Sequence, residues 1–195
     1  MTTAEQWLQG ARPKTLYAAI APVLVGTAFA GYNASLLHFL LALSVSLSLQ
    51  IGVNYANDYS DGIKGTDNDR LGPIRLVASG LAKPNTVRSA AFLSFALAAI
   101  SGLLLSYRTS WVLIPIGLIS IAAAWGYTAG SKPYGYMGFG EVSVFIFFGV
   151  IATNGTYYVQ VEEFSSQVLL ASFALGALSC AILVLNNLRD LPKDS

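Results

Sequence analysis

From Leu36 to Ile51 the chain runs without one charged residue, and stretches of similar length and character recur along it. A helix that crosses the hydrocarbon core of a bilayer needs about 20 mostly apolar residues. Six segments meet that requirement, at residues 15–32, 35–55, 87–107, 110–128, 140–159 and 166–188. They lack sustained period-two alternation and are too long for barrel strands of about ten residues. The connections at Asn33, at Arg108-Thr109 and at 160–164 are short, so successive helices should be antiparallel neighbours. The expectation is an all-α, polytopic transmembrane bundle, here of six helices, forming a single domain over residues 1–195 with a polar loop at 62–86.

Composition narrows the function classes. Of the 195 residues, 54% are hydrophobic and 11% charged, against roughly 25% charged in an average soluble domain. That is too little charge to solvate a soluble surface, and too much apolar content for a disordered chain. A net charge of +1 carries no polyanion-binding signal, so no nucleic-acid partner is expected. The single cysteine, Cys180, excludes an intrachain disulfide framework and a thiolate zinc cluster.

The few charges are distributed unevenly. With the N-terminus inside, ten of the eleven basic residues fall on the inner side and only Arg108 lies outside. The positive-inside rule therefore predicts a cytoplasmic N-terminus in the cell's inner (plasma) membrane. Asp58, Asp61, Asp67, Asp69, Asp190 and Asp194 gather on that same side, which the positive-inside rule does not explain.

The aspartates fall into two clusters. Asn54, Asn57, Asp58 and Asp61 close the second segment at i, i+3, i+4 and i+7, one face of a helix. Four oxygen-bearing side chains on one stripe make half of a hard-cation site, and Mg²⁺ characteristically bridges one or two carboxylates to substrate phosphates. The sixth segment ends similarly with Asn186, Asn187, Arg189 and Asp190, then Asp194. Asn and Asp also cap and terminate helices. Two matched clusters on one side of the membrane favour metal binding over capping, as does the cost of crowding carboxylates without cations.

Between them, the 62–86 loop carries Lys64, Arg70, Arg75 and Lys83 among glycines and prolines. Cations beside acids suit a diphosphate held jointly by Mg²⁺ and by Arg or Lys. Ordinary topology-setting charge is the alternative for each. Arg75 is distinctive because it sits in Ile74-Arg75-Leu76-Val77, where an unpaired charge would be costly.

At these residues the sequence resembles the membrane-bound UbiA-type aromatic prenyltransferases. The likeness rests on Asn57-Asp58-Tyr59-Ser60-Asp61 with Gly65-Thr66-Asp67, and on Asn186-Asn187-Leu188-Arg189-Asp190. Arg12-Pro13-Lys14-Thr15-Leu16, Gly72-Pro73-Ile74-Arg75-Leu76-Val77 and the Gly140-Glu141 and Gly155-Thr156-Tyr157-Tyr158 surroundings agree, and point to the naphthoate-prenylating, menaquinone-pathway branch. The resemblance implies nine helices around a central cavity and a polyprenyl diphosphate bound through Mg²⁺ to both clusters. It implies transfer to 1,4-dihydroxy-2-naphthoate with loss of CO₂. Carried over by position, Asn57, Asp58, Asp61, Asp67, Asp190 and Asp194 are metal ligands, with Asp58, Asp61, Asp190 and Asp194 catalytic. Substrate binding falls to Asn54, Asn57, Lys64, Arg70, Arg75, Tyr127, Lys132, Asn186, Asn187 and Arg189.

Tyr127, Tyr134 and Tyr136 are candidates to flank an allylic cation with their π faces, an interfacial aromatic belt being the alternative for the last two. Glu141, at the start of the fifth segment, is a further charge at membrane depth, with Lys132 as its expected partner. Gly126 and Gly130 have the small-xxx-small spacing of close helix packing.

Two departures from the family pattern bear on these expectations. Gly65 stands where a third aspartate is often found, with Asp67 as its substitute, and Pro192 interrupts the second cluster. Three helices that the family pattern places after that cluster are absent from these 195 residues, as in a fragment, a truncated gene product or a chain completed by another. The resemblance therefore implies that 195 residues alone are inactive or nearly so, with further helices, another chain or a homo-oligomer completing the enzyme.

Other readings fit less well. Prenylation of a different aromatic quinone precursor is the nearest. A CDP-alcohol phosphotransferase matches Asp58-Tyr59-Ser60-Asp61-Gly62 superficially, but Gly65-Thr66 stands where Ala-Arg is needed. A cation transporter would place its acids near the bilayer middle, not at one side.

Overall fold

The computed structural model describes residues 2–65, 74–130 and 133–190, the side chains of Arg189 and Asp190 excepted. Asp67, Arg70, Lys132 and Asp194 lie outside the described residues. Among those described there are eight α-helices and no strand.

Helix α1 (Ala4–Gly10) opens on a capping box, in which the Thr3 hydroxyl accepts from the Gln6 N–H while the Gln6 side chain accepts from the Thr3 N–H. The chain then breaks. Arg12 takes a left-handed φ of 53° and Pro13 opens a short 3₁₀ turn, in keeping with the bar on α conformation before proline. Helix α2 (Tyr17–Ala30) follows, bent 55° from the preceding segment.

Helix α3 (Leu36–Lys64) is the longest, with Ser35 accepting from the His38 N–H at its start and Gly65 closing it at φ 75°. Helix α4 (Pro84–Arg108) begins on proline, whose missing N–H costs nothing there. Helix α5 spans Leu113–Gly126. Helix α6 (Gly140–Val144), a π-helical segment (Phe145–Ile151) and α7 (Ala152–Val161) form one continuous rod. Helix α8 is Ser166–Asp190.

All six apolar segments are helical. Helices α3, α4, the α6–α7 rod and α8 are each long and apolar enough to cross a bilayer, and the bent α1–α2 pair is a fifth candidate. Helix α5 differs from expectation. Its 14 residues give about 21 Å at 1.5 Å per residue, short of a ~30 Å hydrocarbon core. The segment's first residues are spent on turns, in which the Leu113 N–H bonds the Ser110 carbonyl and the Ile114 N–H that of Trp111. Pro115 then supplies no donor of its own.

Helices α3 and α4 form the most extensive pair, and α2 packs between α3 and the α7–α8 side. Without a strong hydrophobic drive inside lipid, helices associate where small residues let backbones meet. A Cβ on Gly149 would stand 2.5 Å from the Gly176 Cα, and one on Gly26 2.5 Å from the Thr153 carbonyl. The Gly126–Gly130 spacing has another use: Gly130 lies beyond α5 at φ 89°, with nothing within 4 Å of its Cβ position. It is a turn residue. Large side chains such as Leu93, Leu104, Leu118 and Leu170 point outward, a lipid-facing surface.

Candidate active site

A cavity of about 1550 Å³ runs along α3 between α2, α4, α5 and the α6–α7 rod. Ordinary small-molecule sites hold about 300–1,000 Å³. One face of α3 lines it, with Ala42, Val45, Leu49, Val53, Asn57 and Asp61 as a stripe in steps of three and four and Ser46, Gln50 and Asn54 beside them. At 1.5 Å per residue the stripe is roughly 28 Å long, near the thickness of a hydrocarbon core. Its character changes along the way. Opposite its apolar end stand Leu105, Leu113, Ile116 and Val159, and around its polar end Arg12, Lys14, Arg75 and Tyr136.

At the polar end, the loop after α5 folds over α3. The Thr128 hydroxyl donates to Asn57 Oδ1, and the Tyr136 hydroxyl donates to Asp61 Oδ1. Lys64 Nζ donates to the Thr128 carbonyl at 3.0 Å and stands 5.3 Å from the Tyr136 ring centre. Arg75 approaches from the other side, with Nη2 3.8 Å from Asp61 Oδ2. Both side chains of that pair are nearly buried, and both line the cavity. Asp61 is thereby held by a phenol and a guanidinium.

The remaining residues of the first cluster divide. Asn54 lines the cavity but is engaged, its Nδ2 donating to the Ala11 carbonyl at 2.8 Å and to Thr15 Oγ1 at 3.1 Å. Asp58 is 1% exposed and does not line the cavity. Its Oδ2 accepts from the Leu76 N–H at 2.8 Å and its Oδ1 from the Val77 N–H at 3.0 Å.

Asn186 and Asn187, near the end of α8, line the cavity across from the first cluster. Tyr127, Tyr134 and Tyr136 line it too, the rings of Tyr127 and Tyr134 meeting edge to face at 5.5 Å. The Tyr134 hydroxyl donates to the Ala123 carbonyl at 2.9 Å and pairs with Ser143 at 3.0 Å. Burial pushes the Tyr134 phenol up and the Ser143 hydrogen bond draws it back. Glu141 lines the cavity as well.

Sequence reading missed Arg12 as a site residue. It enters the polar end from a left-handed backbone at the α1–α2 break, a conformation rare outside glycine. The available signal was an arginine placed immediately before a proline. Thr128 was missed because only the returning loop brings it to Asn57.

Comparison with known proteins places this architecture. A family model for the UbiA prenyltransferase family matches residues 19–195. The chain belongs to the UbiA prenyltransferase family. The 1,4-dihydroxy-2-naphthoate octaprenyltransferase of Mycobacterium tuberculosis (strain ATCC 25618 / H37Rv) is 54% identical over all of this chain and 68% of its own length. Proteins of the same description from Mycobacterium leprae (strain TN) and Escherichia coli (strain K12) are 50% and 38% identical, covering 67% and 66% of their lengths. The chain thus spans about two thirds of these UbiA relatives.

The donors present fit a hard divalent cation. Asn57 Oδ1 and the Asp61 carboxylate are oxygen donors on one face of α3, at the cavity's polar end. Among the described residues no three His, Cys, Asp or Glu side chains converge. These two would supply only part of a coordination sphere, which fits the way Mg²⁺ is shared between one or two carboxylates and substrate phosphates.

Proposed function

We propose that this chain carries the donor-binding core of a Mg²⁺-dependent prenyltransferase of the menaquinone pathway. It transfers a polyprenyl group from its diphosphate to 1,4-dihydroxy-2-naphthoate with loss of CO₂, giving demethylmenaquinol, the reduced (quinol) form of demethylmenaquinone. The observation that carries this reading is the polarity gradient of one cavity: mainly apolar along Ala42, Val45, Leu49 and Val53, where Ser46 is spent on the Ala19 carbonyl and the Gln50 amide on Thr15 and Asn54, then amide, carboxylate and guanidinium at Asn57, Asp61 and Arg75. A polyprenyl diphosphate has the same gradient, a greasy tail ending in a polyanion.

Asn57 and Asp61 would hold Mg²⁺, and the family resemblance adds Asp190 and Asp194 of the second cluster to them. Mg²⁺, when bound, neutralises diphosphate charge and stabilises the leaving group. Arg12, Lys14 and Arg75 offer fixed cations where negative charge develops as the allylic C–O bond breaks. Diphosphate departs with the electron pair of that bond. The acceptor ring forms a new C–C bond to the allylic carbon, and loss of its carboxylate as CO₂ restores the ring. The faces of Tyr127 and Tyr134 shelter the allylic cation, and the apolar walls keep water from it. The cavity's polar end faces the cytoplasm, in keeping with the distribution of Lys and Arg.

The tail-binding end has a direct test. Gly117 of α5 and Gly155 of α7 line the cavity, and a Cβ at either meets nothing within 4 Å. These are unlike Gly26 and Gly149, where backbones touch. A glycine in mid-helix is unfavourable, and here the space it leaves is the cavity itself. Gly117→Leu should leave the fold intact and lower the ratio of long-chain to short-chain products by about tenfold, one methylene-scale clash per isoprene unit sufficing for that discrimination. Mass spectrometry of products from a mixture of donors of different length measures it; an unchanged ratio contradicts this placement of the tail. The acceptor is tested by supplying one donor with a panel of aromatic acids, 1,4-dihydroxy-2-naphthoate being the expected best substrate.

A further inference from the structure

We propose that Asp58 is a positioning residue: it clamps the chain where it returns to α3 and so aims Arg75 at the diphosphate. The inference rests on the reading above that the polar end receives a diphosphate. Sequence pattern alone groups Asp58 with the metal-binding aspartates, because it shares their helix face.

The geometry separates it from them. Both carboxylate oxygens accept backbone N–H bonds from consecutive residues, Leu76 at 2.8 Å and Val77 at 3.0 Å. The two donors open a turn in which the Ser79 N–H bonds the Arg75 carbonyl at 3.0 Å and the Gly80 N–H that of Val77 at 2.9 Å. Packing fixes the same residues. Leu76 is fully buried beneath α1, and a Cβ on Gly10 would stand 2.8 Å from its Cδ1. Val77 lies over Gly62, one turn beyond Asp58, where a Cβ would come within 2.5 Å of it.

Arg75 is the residue immediately before this clamp. Its side chain lines the cavity and reaches Asp61, whereas that of Asp58 does not line the cavity. Asp58 therefore acts on the substrate through Arg75. With the carboxylate removed, the buried Leu76 N–H and the part-buried Val77 N–H lose their partner and the turn that carries the guanidinium loosens.

The test uses Asp58→Ala, Asp58→Asn, Arg75→Ala and the Asp58→Ala/Arg75→Ala double variant in the full-length gene product. Asp58→Ala should raise the KM for polyprenyl diphosphate about tenfold, with Arg75→Ala at least as severe and the double variant no worse than Arg75→Ala, the non-additivity of residues acting as a unit. The Mg²⁺ concentration for half-maximal rate should stay within about twofold, since no metal ligand is lost. Hydrogen exchange over 74–82 should quicken in Asp58→Ala, and Asp58→Asn, which keeps one acceptor oxygen, should fall between. A several-fold rise in the Mg²⁺ requirement of Asp58→Asn would overturn the proposal, as would multiplying effects of the two substitutions or unchanged exchange. Exchange is read without turnover. A protein that transfers no prenyl group from any donor would thus refute the functional reading while the clamp is still decided.

Discussion

Asp61→Ala should lower prenyl transfer by about 10³-fold, the scale of losing a group aimed at charge developing in the transition state. Asp61 is the carboxylate of α3 that opens on the polar end, oriented by the Tyr136 hydroxyl and facing Arg75. Asp61→Asn keeps the shape and a hydrogen-bond acceptor for Tyr136 but removes the charge a hard cation requires. It should therefore fall nearly as far as alanine and demand several-fold more Mg²⁺. Steady-state rates over a Mg²⁺ series measure both. An Asp61→Asn protein with near-normal rate and Mg²⁺ response would remove Asp61 from the metal site.

Arg75→Ala should be nearly as damaging, by a different route. The guanidinium is nearly buried, at 8% side-chain exposure, so it acts in a medium where charge is poorly screened. Its loss deprives the diphosphate of a forked donor and leaves Asp61 without the cation 3.8 Å away. The KM for the donor should rise between about thirtyfold and a thousandfold, the lower part of the range for truncating one partner of a buried charge pair. Arg75→Lys should recover part of this, because lysine restores charge but not the planar fork that matches phosphate. The KM for the acceptor should change little. Full activity in Arg75→Lys would reduce Arg75 to a point charge.

Most of the fold was legible in the sequence because bilayer thickness sets a length that apolar stretches must meet. Residues 35–55 and 166–188 announce α3 and α8 directly. Helix α5 came out shorter than its apolar stretch, because turn hydrogen bonds at Ser110 and Trp111 take up residues that are hydrophobic but not helical. Helix α1 was readable in principle from Thr3 and Gln6 at capping-box spacing, although seven residues are too few for hydrophobic periodicity to register.

The site was legible as a face and not as individual roles. Asn54, Asn57, Asp58 and Asp61 do share one side of a continuous helix. At 100° per residue they spread over about a quarter of its circumference. Asp58 lies at one edge of that arc, against the returning 76–77 backbone, while Asn57 and Asp61 face the cavity. What occupies the neighbouring space depends on contacts 18 and 19 residues away, which helical spacing does not encode. Thr128 and Tyr136 reach α3 across more than 70 residues; Tyr136 is legible as an aromatic candidate, but its hydrogen bond to Asp61, like that of Thr128 to Asn57, is not encoded in spacing.

The central claim is that the polarity gradient of this cavity serves Mg²⁺-dependent, decarboxylative prenyl transfer. The most direct measurement supplies membranes bearing the full-length gene product with a polyprenyl diphosphate and 1,4-dihydroxy-2-naphthoate labelled in its carboxyl carbon, with and without Mg²⁺. The expected result is labelled CO₂ released in equal amount to prenylated product, with both lost when Mg²⁺ is chelated. Product that retains its carboxyl label, or transfer undiminished by chelation, would contradict the account.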